Sequence, residues 1–233
     1  ANAFVGGFRL WPLPGATLAT QDGRGERRIV DSQAALFEAA AAEFYLQAIS
    51  AVGNTGVFSV ALSGGSTPCG LYSLLATDPR WRGLLPWEQI HFFWGDERHV
   101  PPDDPESNFG VADAALLSVV SVPSSNVHRI HAEAAEAGQA AAEYATELRD
   151  FFHLTEGQLP RFDLVLLGLG PEGHTASLFP GTKALTETQQ LVVSNWVGKL
   201  DTDRITLTVP VLNNAAAIMF LVAGAEKATV VKA

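Results

Sequence analysis

Residues 162–180 read FDLVLLGLGPEGHTASLFP. Positions 162–167 are apolar at nearly every step, the pattern of a strand buried on both faces. The run then breaks into Gly168-Leu169-Gly170-Pro171-Glu172-Gly173 and delivers His174 and Thr175. In an open parallel sheet, ligands bind outside the carboxyl ends of the strands. Glycine tolerates positive φ and has no Cβ, so a Gly-rich turn there lets backbone and ligand approach closely. One acid, Glu172, and one imidazole, His174, therefore fall where α/β enzymes do chemistry.

Outward from this segment, strands and helices alternate. Ser32 suits an N-cap for a helix to about residue 51, with Gly53 past its end. Leu36, Ala39, Ala40, Phe44 and Ile49 give that helix an apolar stripe. Residues 57–62 read as a buried strand, followed by a helix from Pro68. Residues 89–94 read as the next strand, with a loop over 95–102, and Ser107 opens a helix to about 119. A short strand over 127–130 and an alanine-rich helix over 133–152 come next. Strands over 191–197, 204–209 and 217–222 close the series, and a helix begins at Gly224. Such alternation predicts an α/β fold: three layers, Rossmann-like, with a mostly parallel twisted sheet and helices on both faces. Residues 1–28 read as an N-terminal extension or irregular segment, and 29–233 as a single domain.

The 233 residues are 47% hydrophobic, enough for a substantial core. Net charge is −10, which argues against nucleic acid as a partner. An anionic ligand would need a local basic pocket that overrides this field. One cysteine allows no intrachain disulfide, and no run of about 18 apolar residues suggests a membrane span. Nor does the N-terminus resemble a signal peptide, so the expected setting is cytoplasmic.

Three further groups bear on chemistry. Ser63-Gly64-Gly65-Ser66-Thr67 joins a strand to a helix N-terminus, where free N–H groups and the helix dipole favour phosphate. An ordinary tight turn reads the same way, and no Walker lysine follows. Asp96, Glu97 and Arg98 sit just past a strand end, where three charges have no core role. A solvated loop with a local ion pair is the plain alternative. The favoured reading puts them near the site, with Arg98 contacting substrate and Asp96 orienting it or a water. Ser107 and Asn108 fit a helix cap as well as a ligand contact. Of the other histidines, His91 reads as a packed strand residue, and His99 belongs to the loop at 95–102. His128 and His131 lie on a strand-like stretch that does not suit a metal site. Cys69 reads as a small structural thiol. No G-x-S-x-G elbow marks a nucleophilic serine.

Five blocks in order resemble the 6-phosphogluconolactonase family: SGGSTP from Ser63, WGDERHVP from Trp94 with Ser107-Asn108, the turn at 168–175, RITLTVPVLN from Arg204, and GAEKA from Gly224. The related glucosamine-6-phosphate deaminases share a similar turn. The resemblance spans roughly residues 30–230. It implies hydrolysis of 6-phospho-D-glucono-1,5-lactone to 6-phosphogluconate in the oxidative pentose phosphate pathway. No redox cofactor or metal is called for. It implies that Arg204 and Lys227 join Gly64, Gly65, Ser66 and Thr67 around the phosphate, and that His174 is a general base with Glu172 fixing its tautomer. Asp96 and Arg98 would complete the catalytic group, with Arg98 or loop amides around 170–175 as oxyanion donors. The family turn usually carries Asp where this chain has Glu172, which lengthens the reach by one methylene. An isomerase-deaminase or a non-enzymatic sugar-phosphate sensor are the alternatives. The former is disfavoured because the block reads Asp-Glu-Arg instead of Asp-Glu-Tyr.

Overall fold

The computed structural model describes residues 17–21 and 25–232. Of the segment 1–28, positions 1–16 and 22–24 lie outside the described residues; β1 (Thr17–Gln21) and β2 (Glu26–Ile29) pair antiparallel. The chain then runs through α1 (Gln33–Thr55), β3 (Phe58–Leu62), α2 (Ser66–Thr77), α3 (Pro79–Leu84), β4 (Ile90–Trp94) and β5 (Asp96–Arg98). After α4 (Asn108–Ala112) and α5 (Ala137–Phe151) come β6 (Leu164–Leu167), β7 (Val192–Val197) and β8 (Thr202–Leu207). Last are α6 (Val209–Asn213), β9 (Ile218–Phe220) and α7 (Ala228–Lys232).

A parallel sheet of order β4-β3-β6-β9 forms the centre. Every residue of β3 and β6 is buried, as the continuous apolar runs require. The connection leaving β3 leads to β4 on one side, and the one leaving β6 leads to β9 on the other. Their carboxyl ends therefore flank a switch point, where a crevice opens.

The α/β class, with a parallel sheet flanked by helices, matches the expectation, but two strands belong elsewhere. The stretches expected at 191–197 and 204–209 form β7 and β8, which pair antiparallel with each other, and β8 pairs antiparallel with β5. The second sheet has the order β5-β8-β7. Single-strand periodicity shows that a segment is extended but does not say which partner it takes.

Boundaries shift for local reasons. Ser32 caps α1 through a 3.1 Å bond from the Ala35 N–H, but the helix passes through Gly53. It ends at Gly56, whose φ of 85° supplies the left-handed turn. By length and composition alone α1 could cross a bilayer, with a mean hydropathy of 1.2. Its face of Leu36, Ala40, Phe44 and Ala48 is buried, and Phe44 meets Phe58 of β3 edge-on at 5.3 Å. That is the pattern of a core helix. The strand expected at 127–130 reduces to one bridge, Phe92 to Val127. The helix after Ser107 widens into a π-helical turn over Asp113–Leu117, and the alanine-rich helix starts at Ala137.

Two buried tyrosines fix the strand ends that border the crevice. Tyr72 of α2 accepts from the Ser63 N–H at 3.0 Å and donates to the Ser63 carbonyl at 2.8 Å. Tyr144 of α5 does the same to Trp94, at 2.9 and 3.1 Å. Burial pushes both phenols far above their ordinary range, so they stay protonated and donate. Each hydroxyl satisfies the two backbone groups that a strand releases where it leaves the ladder. Tyr72→Phe should cost about 1–3 kcal/mol, because it leaves a buried N–H and C=O without partners. Denaturant unfolding checks this; a loss below about 0.5 kcal/mol, the range of a neutral surface change, would mean that Ser63 finds other partners.

Candidate active site

The crevice is a cavity lined by the Ser63–Pro68 loop, Asp96, Arg98, Asn108, Gly168–Gly170, His174–Ala176, Leu221–Ala223 and Lys227. Eight of the ten residues singled out from sequence line it: Gly64, Gly65, Ser66, Thr67, Asp96, Arg98, His174 and Lys227. Glu172 and Arg204 do not.

The first wall is the turn into α2. That helix begins at Ser66, two residues before the expected start, and Pro68 falls in its first turn, where no N–H is missed. Gly65 is the cap at φ 100° and no side chain caps it, so first-turn N–H groups face the mouth. Gly64 is required by contact: a Cβ there would lie 1.8 Å from Asn108 Oδ1.

The second wall is β5. Alternation along the strand sends Asp96 and Arg98 to the cavity face and Glu97 to the other. Glu97 is buried and accepts from the N–H groups of Arg98 and Asn108, both at 2.7 Å, and of Phe109 at 2.8 Å. Ser107 Oγ adds a fourth bond at 3.1 Å. Burial raises the Glu97 pKa, and these backbone donors oppose the rise. Glu97 therefore fastens the start of α4 and faces away from the ligand. Ser107 accepts from the Gly110 N–H at 3.1 Å, so its capping role is realised. Asn108 does both jobs: Nδ2 donates to the Asp96 carbonyl at 2.8 Å, and the residue lines the cavity. Asp96 Oδ2 accepts from Ser177 Oγ at 2.6 Å. Arg98 donates to the Glu106 carbonyl.

Arg204, expected at the phosphate, is not among the residues that line this cavity. It lies on β8, directly opposite Arg98 in register, and so projects to the same face of the sheet. Its Nε is buried without a partner. Burial and the neighbouring Arg98 charge both pull its pKa down. Lys227, in a 3-10 turn after Gly224, does reach the cavity.

The third wall carries His174. The turn closes through Gly170 N–H to the His174 carbonyl at 2.8 Å and Gly173 N–H to the Gly170 carbonyl at 3.1 Å. The imidazole packs over Gly170, where a Cβ would sit 2.0 Å from Cε1, and stacks on Phe179 at 4.0 Å. Nδ1 lies 3.2 Å from Glu172 Oε2. With Nδ1–H donating to that carboxylate, Nε2 is left as the basic nitrogen. Burial lowers the His174 pKa; Glu172 and Asp96 pull it up, and Lys227 pushes it down. The ring is thus neutral at neutral pH. Glu172 itself stands outside the cavity wall, exposed, with its other oxygen on Lys199. Lys199 holds the Glu172 carboxyl below its ordinary range.

Sequence reasoning missed Ser177, Asn195, Phe179 and Lys199. Ala176 adopts φ 47°, a strained turn for a residue with a Cβ, and turns Ser177 inward. Asn195 Nδ2 then holds the Ser177 carbonyl at 2.9 Å. Only the β7–β8 register, invisible in the sequence, brings Asn195 and Lys199 here. Three other histidines are engaged away from the cavity. His91 Nδ1 meets His128 Nε2 at 3.0 Å, and His128 Nδ1 meets Glu147 at 2.8 Å. His99 bonds the Ala134 carbonyl at 2.8 Å.

Residues 31–233 match the family described as glucosamine-6-phosphate isomerases/6-phosphogluconolactonase. A 6-phosphogluconolactonase of Synechocystis is 48% identical over 76% of this chain and 71% of its own. A chloroplastic 6-phosphogluconolactonase 3 of Arabidopsis thaliana is 40% identical over 76% of this chain and 56% of its own. The crystal structure of 6-phosphogluconolactonase from Leishmania guyanensis superposes with a TM-score of 0.77 at 34% identity, covering 87% of this chain and 83% of that one.

Gly170→Ala should push the imidazole off Phe179 without unfolding the sheet, because the three atoms nearest the new Cβ all belong to the His174 ring. Leaving its buried seat, the ring should titrate at higher pH than in the parent, since burial is the largest influence holding it down. An NMR titration of the ring resonances reads this; unchanged shifts and midpoint would show that the turn makes room.

Proposed function

The chain belongs to the family of glucosamine-6-phosphate isomerases and 6-phosphogluconolactonases, and we propose that its crevice is a lactonase site. The reaction is hydrolysis of 6-phospho-D-glucono-1,5-lactone to 6-phosphogluconate, a step of the oxidative pentose phosphate pathway. The observation that supports the residue roles is one juxtaposition. A neutral imidazole with a carboxylate on Nδ1 faces a helix N-terminus and a lysine across the same cavity.

In this reading the phosphate rests on the Ser63–Thr67 loop and Lys227. His174 Nε2 takes a proton from water as the water adds to the lactone carbonyl. Arg98, on the cavity wall, stabilises the tetrahedral oxyanion. The C–O ring bond then breaks, and the imidazolium returns its proton to the departing ring oxygen. Glu172 holds the tautomer and stabilises the imidazolium. Asp96, pinned by Ser177, orients the cavity side of β5. Arg204, opposite Arg98 and on the same face, adds its charge to the phosphate side of the site. The cytoplasmic setting expected from sequence remains part of the proposal; a chloroplastic relative means that this fold does not fix the compartment.

Fresh lactone and a dehydrogenase-coupled assay for 6-phosphogluconate, with an enzyme-free control, test the reading. Ammonia release from glucosamine 6-phosphate without lactone turnover would make the chain a deaminase instead. His174→Ala should lower kcat about 10²–10⁴-fold, the usual contribution of a general base. Because burial lowers the imidazole pKa, kcat/KM should hold below the ordinary histidine midpoint before falling on the acid side. Glu172→Gln removes a charge that raises that pKa, so the acid limb should move to lower pH. A limb that stays in place on loss of Glu172 removes that carboxylate from the mechanism.

A further inference from the structure

Glu172 uses its two oxygens on two different elements. Oε2 meets His174 Nδ1 at 3.2 Å, and Oε1 takes the Lys199 ammonium. Lys199 sits at the tip of the β7–β8 hairpin, between Val197 and Thr202, and belongs to the second sheet. The 168–175 turn belongs to the first. Within the described residues the chain Lys199–Glu172–His174 runs from solvent to the cavity wall, and neither Lys199 nor Glu172 lines that wall.

We propose that Lys199 is a positioning residue for His174, acting through Glu172: it fixes the carboxylate that selects the imidazole tautomer and sets how strongly that carboxylate draws a proton onto the ring. Glu172 stands in an exposed turn after Pro171, where a glutamate with one partner would sample several rotamers. A second partner on the far oxygen narrows that set. It also shares the negative charge. With Lys199 in place, part of the carboxylate's attraction is spent on the ammonium; without it, His174 Nδ1 is the one partner left to the carboxylate, and loss of the competing cation outweighs the added rotamer freedom. The other charged groups that act on His174 are Asp96, which favours the imidazolium, and Lys227, which opposes it. Both lie in the cavity and are untouched by changes at the hairpin tip. Lys199 is itself mostly exposed, so salt should weaken its effect.

The kinetic arm of the test rests on the lactonase reading; the spectroscopic arm does not. Lys199→Met should move the His174 titration midpoint to higher pH, read by NMR of the ring. It should lower kcat/KM about threefold on the acid limb and leave it unchanged above about pH 8, where the ring is neutral in either protein. Lys199→Arg keeps the charge and should restore both readings. In a Glu172→Gln background, Lys199→Met should change neither. Circular dichroism and Tm establish that each variant is folded. A midpoint that stays put in Lys199→Met, or that moves equally with and without the Glu172 carboxylate, overturns the proposal. So does failure of Lys199→Arg to restore it. If the parent protein turns over no lactone, the lactonase reading fails, while the NMR midpoint still decides the role of Lys199.

Discussion

Four donors converge on one buried carboxylate, Glu97, and the cavity wall made by β5 and α4 depends on that convergence. Three backbone N–H groups and the Ser107 hydroxyl lie within 3.1 Å of its oxygens. The bonds join a strand end to a helix start ten residues later. Everything the cavity takes from this wall follows. Asp96 and Arg98 face inward because Glu97 faces out. Asn108 reaches the Asp96 carbonyl and lies against Gly64 because Glu97 holds its N–H. Burial raises the Glu97 pKa above its unfolded value, so the native state binds this proton more tightly. Its contribution therefore favours folding at low pH and turns unfavourable as pH rises through the raised pKa. When the carboxyl is ionised, charge-assisted bonds from the four donors offset part of its desolvation.

The sequence revealed what is local. The 162–180 stretch announced a buried strand and a glycine turn, and both are there because solvent exclusion and backbone freedom act residue by residue. Ser32 and the Ser63–Thr67 loop were legible for the same reason. What depends on pairing was not. Segments 191–197 and 204–209 read as strands, yet nothing in their alternation said that they turn back on each other and recruit β5. That one omission hid Asn195 and Lys199. Glu97 looked like a third member of a charged loop, and only the fold shows that its neighbours' side chains face the other way. Nothing in the sequence singled out Tyr72 and Tyr144. Their hydroxyls matter because two strand ends release an N–H and a carbonyl at the points where those helices pass.

The chain has a net charge of −10, yet its cavity side gathers cations. Arg98 and Lys227 line the crevice, and Arg204 stands directly behind Arg98 in register. Directly opposed residues on adjacent strands project to the same face, so the two guanidinium groups repel. The depressed Arg204 pKa records that repulsion together with burial. Asp96, two residues before Arg98 on the same face, relieves part of it. An anion arriving beside Arg98 relieves more, and gains more than it would from a lone exposed arginine, because the second charge acts from a position water reaches poorly. A neutral ligand gains nothing from this arrangement. The face that an alternation of three residues builds at β5 thus gathers cationic side chains at the crevice, against the field of the rest of the molecule.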